Sequence, residues 1–187
     1  MNYPNKSKKE YNKFTSYANR GMNLEELLNQ SNEYYLLEDK AIIYKKPTPI
    51  TISEVKYGEK ERIITKAYFR TPSTLDYNGI YKGTYLDFDA KETNNKTSFP
   101  LQNIHEHQLK HMKSIIAHGG ISFLIIYMNN NFYYLDGKNI VEFINTNKRK
   151  SIPYSYIETY GIIIEQKIKP RLDYLKVIDE LYFKEGD

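Results

Sequence analysis

Cysteine and tryptophan are both absent from this chain of 187 residues. Without cysteine there is no disulfide framework and no thiolate metal site, and a reducing compartment is the natural setting. Long apolar runs are missing too. The longest, I-S-F-L-I-I-Y-M at residues 121–128, contains a serine and falls far short of the ~20 residues that span a bilayer. No membrane association is expected. No apolar stretch follows the first residues, so no secretory signal is expected and a cytoplasmic location is. A strong excess of one charge is lacking as well: the net charge is +4. For a nucleic-acid-binding protein that is modest, so distribution matters more than total. There is no internal repeat and no glycine-rich phosphate loop. His107 and His111 stand four residues apart, but Gln108 follows His107 where a zinc hydrolase motif has Glu, and no third ligand is evident.

What is present centres on one stretch, S-T-L-D-Y-N-G-I-Y-K-G-T-Y-L-D-F-D-A-K-E at residues 73–92. Tyr77, Ile80, Tyr81, Tyr85, Leu86 and Phe88 are strand formers, and Lys82-Gly83 between them reads as a two-residue hairpin turn. In that register paired positions sum to 165, so Asp76 lies opposite Asp89. Directly opposed side chains have Cβ atoms roughly 4.5–5.5 Å apart. The period of two puts Lys91 on the face of Asp89, while Thr84, Leu86, Phe88 and Ala90 take the other, apolar face.

Opposed like charges destabilise a bare sheet. A hard divalent ion such as Mg²⁺ removes that objection, since it binds through one or two carboxylates plus substrate phosphates. An ammonium nearby can orient the attacking water and stabilise phosphate charge. Asp76, Asp89 and Lys91 therefore read as a metal-dependent phosphodiesterase site. Three such common residue types also arise together easily on an ordinary solvated strand face.

Elsewhere strands and helices are mixed. Residues 1–20 carry Lys6, Lys8, Lys9, Lys13 and Arg20 against Glu10, which reads as a flexible basic arm. Asn23 with Glu26 predicts a capped helix with Leu24, Leu27, Leu28, Ser31 and Tyr35 on its core face. Residues 41–44 and 51–57 read as strands, with Lys45 and Lys46 at the proline-rich bend between them. From residue 57 to 70, Lys60, Arg62, Lys66 and Arg70 interleave with Ile63, Ile64, Tyr68 and Phe69. Aromatic groups among basic ones suit a surface that stacks on unpaired bases while holding phosphates. An exposed ribbon with its own small apolar cluster fits the same pattern. Asn103 predicts a second helix cap, with Glu106 three residues on. Leu101, Ile104, Gln108, Met112 and Ile115 then share a face, so Gln108 points inward along an apolar stripe. Residues 121–127 read as a buried strand returning through 132–135. Residues 138–144 form a short helix, and Leu172, Leu175, Ile178 and Tyr182 mark a last one.

The spacing D-x(12)-D-A-K on a hairpin resembles the PD-(D/E)xK nuclease superfamily. The wider text, F-R-T-P-S-T-L-D-Y-N-G-I-Y-K-G-T-Y-L-D-F-D-A-K-E-T-N-N-K-T-S-F-P-L-Q-N-I-H-E-H-Q at residues 69–108, resembles RecU-type Holliday junction resolvases. So do N-R-G-M at 19–22, Y-K-K-P-T-P at 44–49 and P-R-L-D-Y-L at 170–175. The family usually carries Glu where this chain has Asp89; the superfamily accepts either acid.

The resemblance implies an α/β, restriction-endonuclease-like fold: a mixed central β-sheet flanked by helices, with a projecting β stalk. On that reading residues 1–20 are the arm, 21–187 the nuclease domain, and about 57–73 the stalk insertion. It implies a homodimer that makes paired nicks in four-way junction DNA, with recombinase and branch-migration proteins as partners. Mg²⁺, or Mn²⁺ in its place, would be held by Thr74, Asp76, Asp89 and Gln108 with the Ala90 carbonyl, and Asp76, Asp89 and Lys91 would be catalytic. DNA contacts would fall to Arg20, Lys45, Lys46, Lys60, Arg62, Lys66, Tyr68, Phe69 and Arg70. A duplex endonuclease on the same fold and a non-catalytic junction-binding protein are the alternatives.

Overall fold

Asn23 starts the first helix by accepting the Glu26 N–H at 2.8 Å, which satisfies one of the free donors at a helix N-terminus. The computed structural model describes residues 23–58, 60–70 and 74–184; the expected basic arm lies outside the described residues. Helix α1 (Leu24–Leu37) is followed by β1 (Ile42–Lys45), β2 (Ile50–Tyr57), β3 (Arg62–Phe69), β4 (Tyr77–Tyr81), β5 (Thr84–Glu92) and β6 (Ser98–Pro100). Then come α2 (Glu106–Ala117), β7 (Ile121–Met128), β8 (Asn131–Asp136), α3 (Gly137–Thr146), β9 (Ser151–Pro153), α4 (Tyr154–Tyr160), β10 (Ile162–Ile163) and α5 (Tyr174–Tyr182).

Six strands form the central sheet in the order β1-β4-β5-β7-β8-β10. β5 and β7 are parallel, and the other pairs are antiparallel. A parallel pair needs a crossover connection, which β6 and α2 supply. The β4–β5 register is the predicted one, from Tyr77 opposite Phe88 to Tyr81 opposite Thr84. Lys82 and Gly83 have φ of 47° and 75°, the left-handed pair that lets a two-residue turn match the strand twist. Gly79 is needed for a different reason: a Cβ there would lie 2.1 Å from the Ile42 carbonyl oxygen on the neighbouring strand.

Helices cover both faces of the sheet. On one, Leu86, Phe88, Ile121, Phe123 and Ile125 pack against α1 and α5. The rings of Tyr77, Phe88, Phe123 and Tyr134 stack across four strands with centroids 4.9, 4.6 and 4.4 Å apart. On the other face Leu124, Ile126, Met128 and Leu135 meet Met112, Ile140, Phe143 and Ile157 from α2, α3 and α4. The expected mixed sheet between helices is what the chain builds. No helix among the described residues is long and apolar enough to cross a membrane.

Two boundaries differ from expectation. β2 pairs with β3 in a separate two-stranded sheet, so the ribbon is Ile50–Phe69 and not 57–73. Pro47 and Pro49 lack the N–H donors that would continue the β1 ladder, and the chain leaves the sheet there. Helix α2 starts at Glu106, with His105 and not Asn103 as its cap. Residues Leu101–Asn103 form a 3₁₀ turn, held because β6 pairs with β9 and the Leu101 N–H donates to the Lys150 carbonyl. The short β6, β9, β10 and α4 carried no periodicity long enough to read.

Phe88 is fully buried in the middle of the ring stack. Phe88→Ala should lower the unfolding free energy by about 3–5 kcal/mol in urea denaturation; a loss under ~1 kcal/mol would mean that the stack is not what fixes the hairpin on the core.

Candidate active site

Strand alternation puts Asp87, Asp89 and Lys91 on one face of β5, and α2 lies over that face. Asp89 is fully buried. Its Oδ1 accepts the Ala90 N–H at 2.8 Å. Its Oδ2 accepts Gln108 Nε2 at 2.6 Å and lies 2.8 Å from the Lys91 ammonium. The buried carboxylate is thus held by a strand amide, a helix amide and a cation. Gln108, itself buried, accepts the His105 N–H on Oε1 at 3.1 Å. The inward amide read from the apolar stripe is therefore both a helix cap and a clamp on Asp89, and it faces Asp89 with nitrogen.

Asp76 precedes β4 and is half-buried. Burial raises its pKa above the usual carboxylate range, and the charge of Asp89 and a hydrogen bond to it add to the rise; Lys91 and Lys45 pull the other way. A shared proton or a cation would relieve the pair. Thr74 is half-buried two residues before Asp76. Glu92, on the opposite face of β5, accepts the Leu24 N–H on Oε1 at 2.8 Å. It ties the first turn of α1 to the end of the site strand.

A third acid, Asp87, lies on the site face and was not among the residues expected there. Asp87 is fully buried. Its Oδ2 accepts the Lys46 ammonium at 2.7 Å and the Tyr85 hydroxyl at 2.9 Å, and His111 Nε2 stands 3.4 Å away. The alternation that placed Lys91 beside Asp89 places Asp87 there too, so the signal was present. His107 stacks on His105 with centroids 5.4 Å apart, while His111 turns to Asp87.

The structure brings Asp76, Asp89, Lys91 and Gln108 together. The residues expected to meet DNA are spread along the ribbon and its root. Lys60, Arg62, Lys66, Tyr68, Phe69 and Arg70 are all exposed, and Phe69 is 84% accessible. Lys66 and Tyr68 fall on one face of β3, and a register shift separates them from Arg62. The Arg62 guanidinium sits 5.7 Å from the Tyr57 ring centre, and the Lys66 ammonium 5.8 Å from that of Tyr68. Lys66 also approaches Glu54 at 3.5 Å. At the root, Lys45 pairs with Glu25, and Lys46 is committed to Asp87. Arg20 lies outside the described residues.

The family model for recombination protein U, RecU, matches residues 19–180. The chain belongs to the RecU family. A relative from Bacillus cereus (strain G9842), named Holliday junction resolvase RecU, is 52% identical over 90% of this chain and 87% of its own. Relatives of the same name from Bacillus mycoides (strain KBAB4) and Bacillus thuringiensis (strain Al Hakam) match with the same identity and coverage. Among solved structures, the Holliday junction resolvase Hjc of Archaeoglobus fulgidus aligns with a TM-score of 0.40 and 9% identity, over 68% of this chain and 86% of its own.

The raised pKa of Asp76 has a sign. The folded protein keeps the Asp76 proton to higher pH than the unfolded chain does, so stability from this group is present at low pH and lost as pH rises through that window. In EDTA at neutral pH, Asp76→Asn should raise the midpoint of thermal unfolding by about 2 °C, since an amide donates to Asp89 without repelling it. The gain should shrink as pH falls through the raised folded-state pKa, where the wild-type group takes up its own proton. A neutral-pH midpoint unchanged or lowered by the substitution would mean that Asp89 places no strain on Asp76.

Proposed function

We propose that this chain is a Holliday junction resolvase: a divalent-metal-dependent endodeoxyribonuclease that, as a homodimer, makes paired symmetric nicks in four-way junction DNA during recombination and repair. The observation that carries the reading is the adjoining pair Asp76 and Asp89, with Lys91 2.8 Å from Asp89, at the root of an exposed basic and aromatic ribbon. The 52% identical relatives named Holliday junction resolvase RecU support it.

The donors fit a hard divalent cation. Asp76 and Asp89 offer oxygen donors, the pKa of Asp76 being raised by burial and then by the charge of Asp89, and no thiolate competes. Asp76 and Asp89 would hold Mg²⁺, or Mn²⁺ in its place, with the Thr74 hydroxyl and the Ala90 carbonyl. Gln108 would join them through Oε1 only once its amide turns over; as it stands, its nitrogen holds Asp89. When bound, the cation supplies a Lewis acid that lowers the pKa of a water and offsets phosphate charge.

The side chains do the rest. Asp89 is fixed in one orientation by the Ala90 N–H and by Gln108. The Lys91 ammonium orients the attacking water and stabilises charge that develops on the phosphoryl oxygens. The water oxygen bonds to phosphorus and gives up a proton to solvent, the bond to the 3′ oxygen breaks, and that oxygen takes a proton from solvent. The products carry 5′-phosphate and 3′-hydroxyl ends. Lys45, Lys60, Arg62, Lys66 and Arg70 meet phosphates, with Arg20 as a further candidate, and Tyr68 and Phe69 stack on bases opened at the junction. A two-fold dimer sets two such sites on a substrate with two equivalent strands. The setting is cytoplasmic, alongside recombinase and branch-migration proteins.

A labelled mobile four-way junction and a matched linear duplex, each with and without Mg²⁺, test the reading. Symmetric Mg²⁺-dependent nicking of the junction alone is expected. Equal cutting of both substrates would point to a general endonuclease, and tight junction binding without cleavage to an architectural protein. Asp89→Asn should cut the cleavage rate by more than about 100-fold while junction affinity stays within a few-fold; full cleavage by that variant would sink the site. Replacing the ribbon, residues 50–69, by a short turn should abolish junction resolution without unfolding the sheet, judged by gel assay and circular dichroism.

A further inference from the structure

The proposed chemistry leaves one buried carboxylate unused. Asp87 Oδ2 has three polar neighbours, while Oδ1 is buried without a hydrogen-bond partner among the described residues, as is His111 Nε2. A buried ion pair seldom outperforms an apolar pair of the same size, and an unmet buried polar atom costs about 1–3 kcal/mol. Stability therefore gives no reason for Lys46 and Asp87.

Position does. The β1–β4 ladder ends at Lys45 opposite Tyr77. Lys46, the next residue, donates its backbone N–H to the Asp76 carbonyl at 2.7 Å. Only Pro47, Thr48 and Pro49 separate it from Ile50, which pairs with Phe69 in the first rung of the ribbon. The Arg70 N–H closes that rung onto the Pro49 carbonyl at 2.9 Å. Two proline rings fix φ in this link, and three residues span at most about 10 Å. The link is short and stiff. Lys46 thus touches both acid-bearing segments: Asp76 through its backbone, and β5 through Asp87, two residues from Asp89.

We propose that Lys46 and Asp87 are a positioning pair that ties the ribbon root to the site, so that engagement of junction DNA by the ribbon sets the placement of Asp76 relative to Asp89. The inference rests on the resolvase reading for its substrate. Lys46 acts on cleavage through this pair and not as a phosphate contact.

The full chain carrying Lys46→Met, Lys46→Arg, Asp87→Asn or Lys46→Met with Asp87→Asn tests this. Junction affinity would be measured in Ca²⁺, and single-turnover cleavage at saturating protein in Mg²⁺. For Lys46→Met, affinity should stay within about threefold while the saturating rate falls at least about tenfold. Lys46→Arg should recover most of that rate. The double variant should be no slower than the slower single one, within about threefold, because both changes remove one link. Weakened binding with the saturating rate kept would make Lys46 a phosphate contact and overturn the proposal. So would rate losses that multiply in the double variant, or losses that follow unfolding at the assay temperature. Hydrogen exchange needs no cleavage: junction DNA in Ca²⁺ should slow exchange across residues 86–91 in the wild type and not in Lys46→Met. Unaltered exchange there in the wild type overturns the pair whatever the cleavage assay gives. Wild-type protein that fails to cut the junction with Mg²⁺ or Mn²⁺ overturns the resolvase reading instead.

Discussion

Asp76 and Asp89 repel each other, and the fold holds them side by side. Burial makes the repulsion worse by withdrawing the water that would screen it. Whatever keeps these carboxylates in place must be stiffer than the force between them. That stiffness comes from the sheet. Asp89 lies in a strand paired on both sides, with β4 and with β7, and Asp76 is bound at its carbonyl by the Lys46 N–H. On the reverse of the same strand, the rings of Tyr77, Phe88 and Phe123 stack across the sheet. A shift of the strand that relieved the charges would break that stack.

The two faces of the sheet divide the labour. One carries α1, α5 and the aromatic row; the other receives α2, with Gln108 and His111 directed at Asp89 and Asp87. Gln108 and His111, three residues apart on one helix face, reach the two acids. Asp89, Lys91 and Gln108 thus sit on regular elements and Asp76 one residue before β4, which suits a centre that must hold charged oxygens in fixed relation.

Much of this was legible in the sequence because it follows from period alone. The hairpin register, the opposition of Asp76 and Asp89 and the inward Gln108 all come from counting by two or by three and four. Asp87 obeyed the same count and went unread, because Asp89 and Lys91 already completed a familiar pattern. The start of α2 was misjudged because Asn103 has good cap chemistry, whereas its backbone is committed to the turn after the β6–β9 pair, a contact between residues some fifty apart in sequence. The ribbon boundary failed for a related reason. Residues 51–57 have strand composition, and composition does not say which strand is the partner. Lys45 and Lys46 at the root were expected to meet DNA; only the fold reveals that the ammonium of Lys46 turns to Asp87.

The ribbon leaves the sheet after Lys45 and the chain re-enters it at Tyr77, and those two residues are opposite one another in the ladder. The sheet thus has the same register whatever the length of the ribbon, residues 50–69, that lies within this excursion. Such an insertion behaves as an appendage: its length and surface can drift between relatives while the carboxylates stay where they are. On the proposed function, substrate choice and bond cleavage would sit on separable parts of one polypeptide, joined at a root a few residues wide.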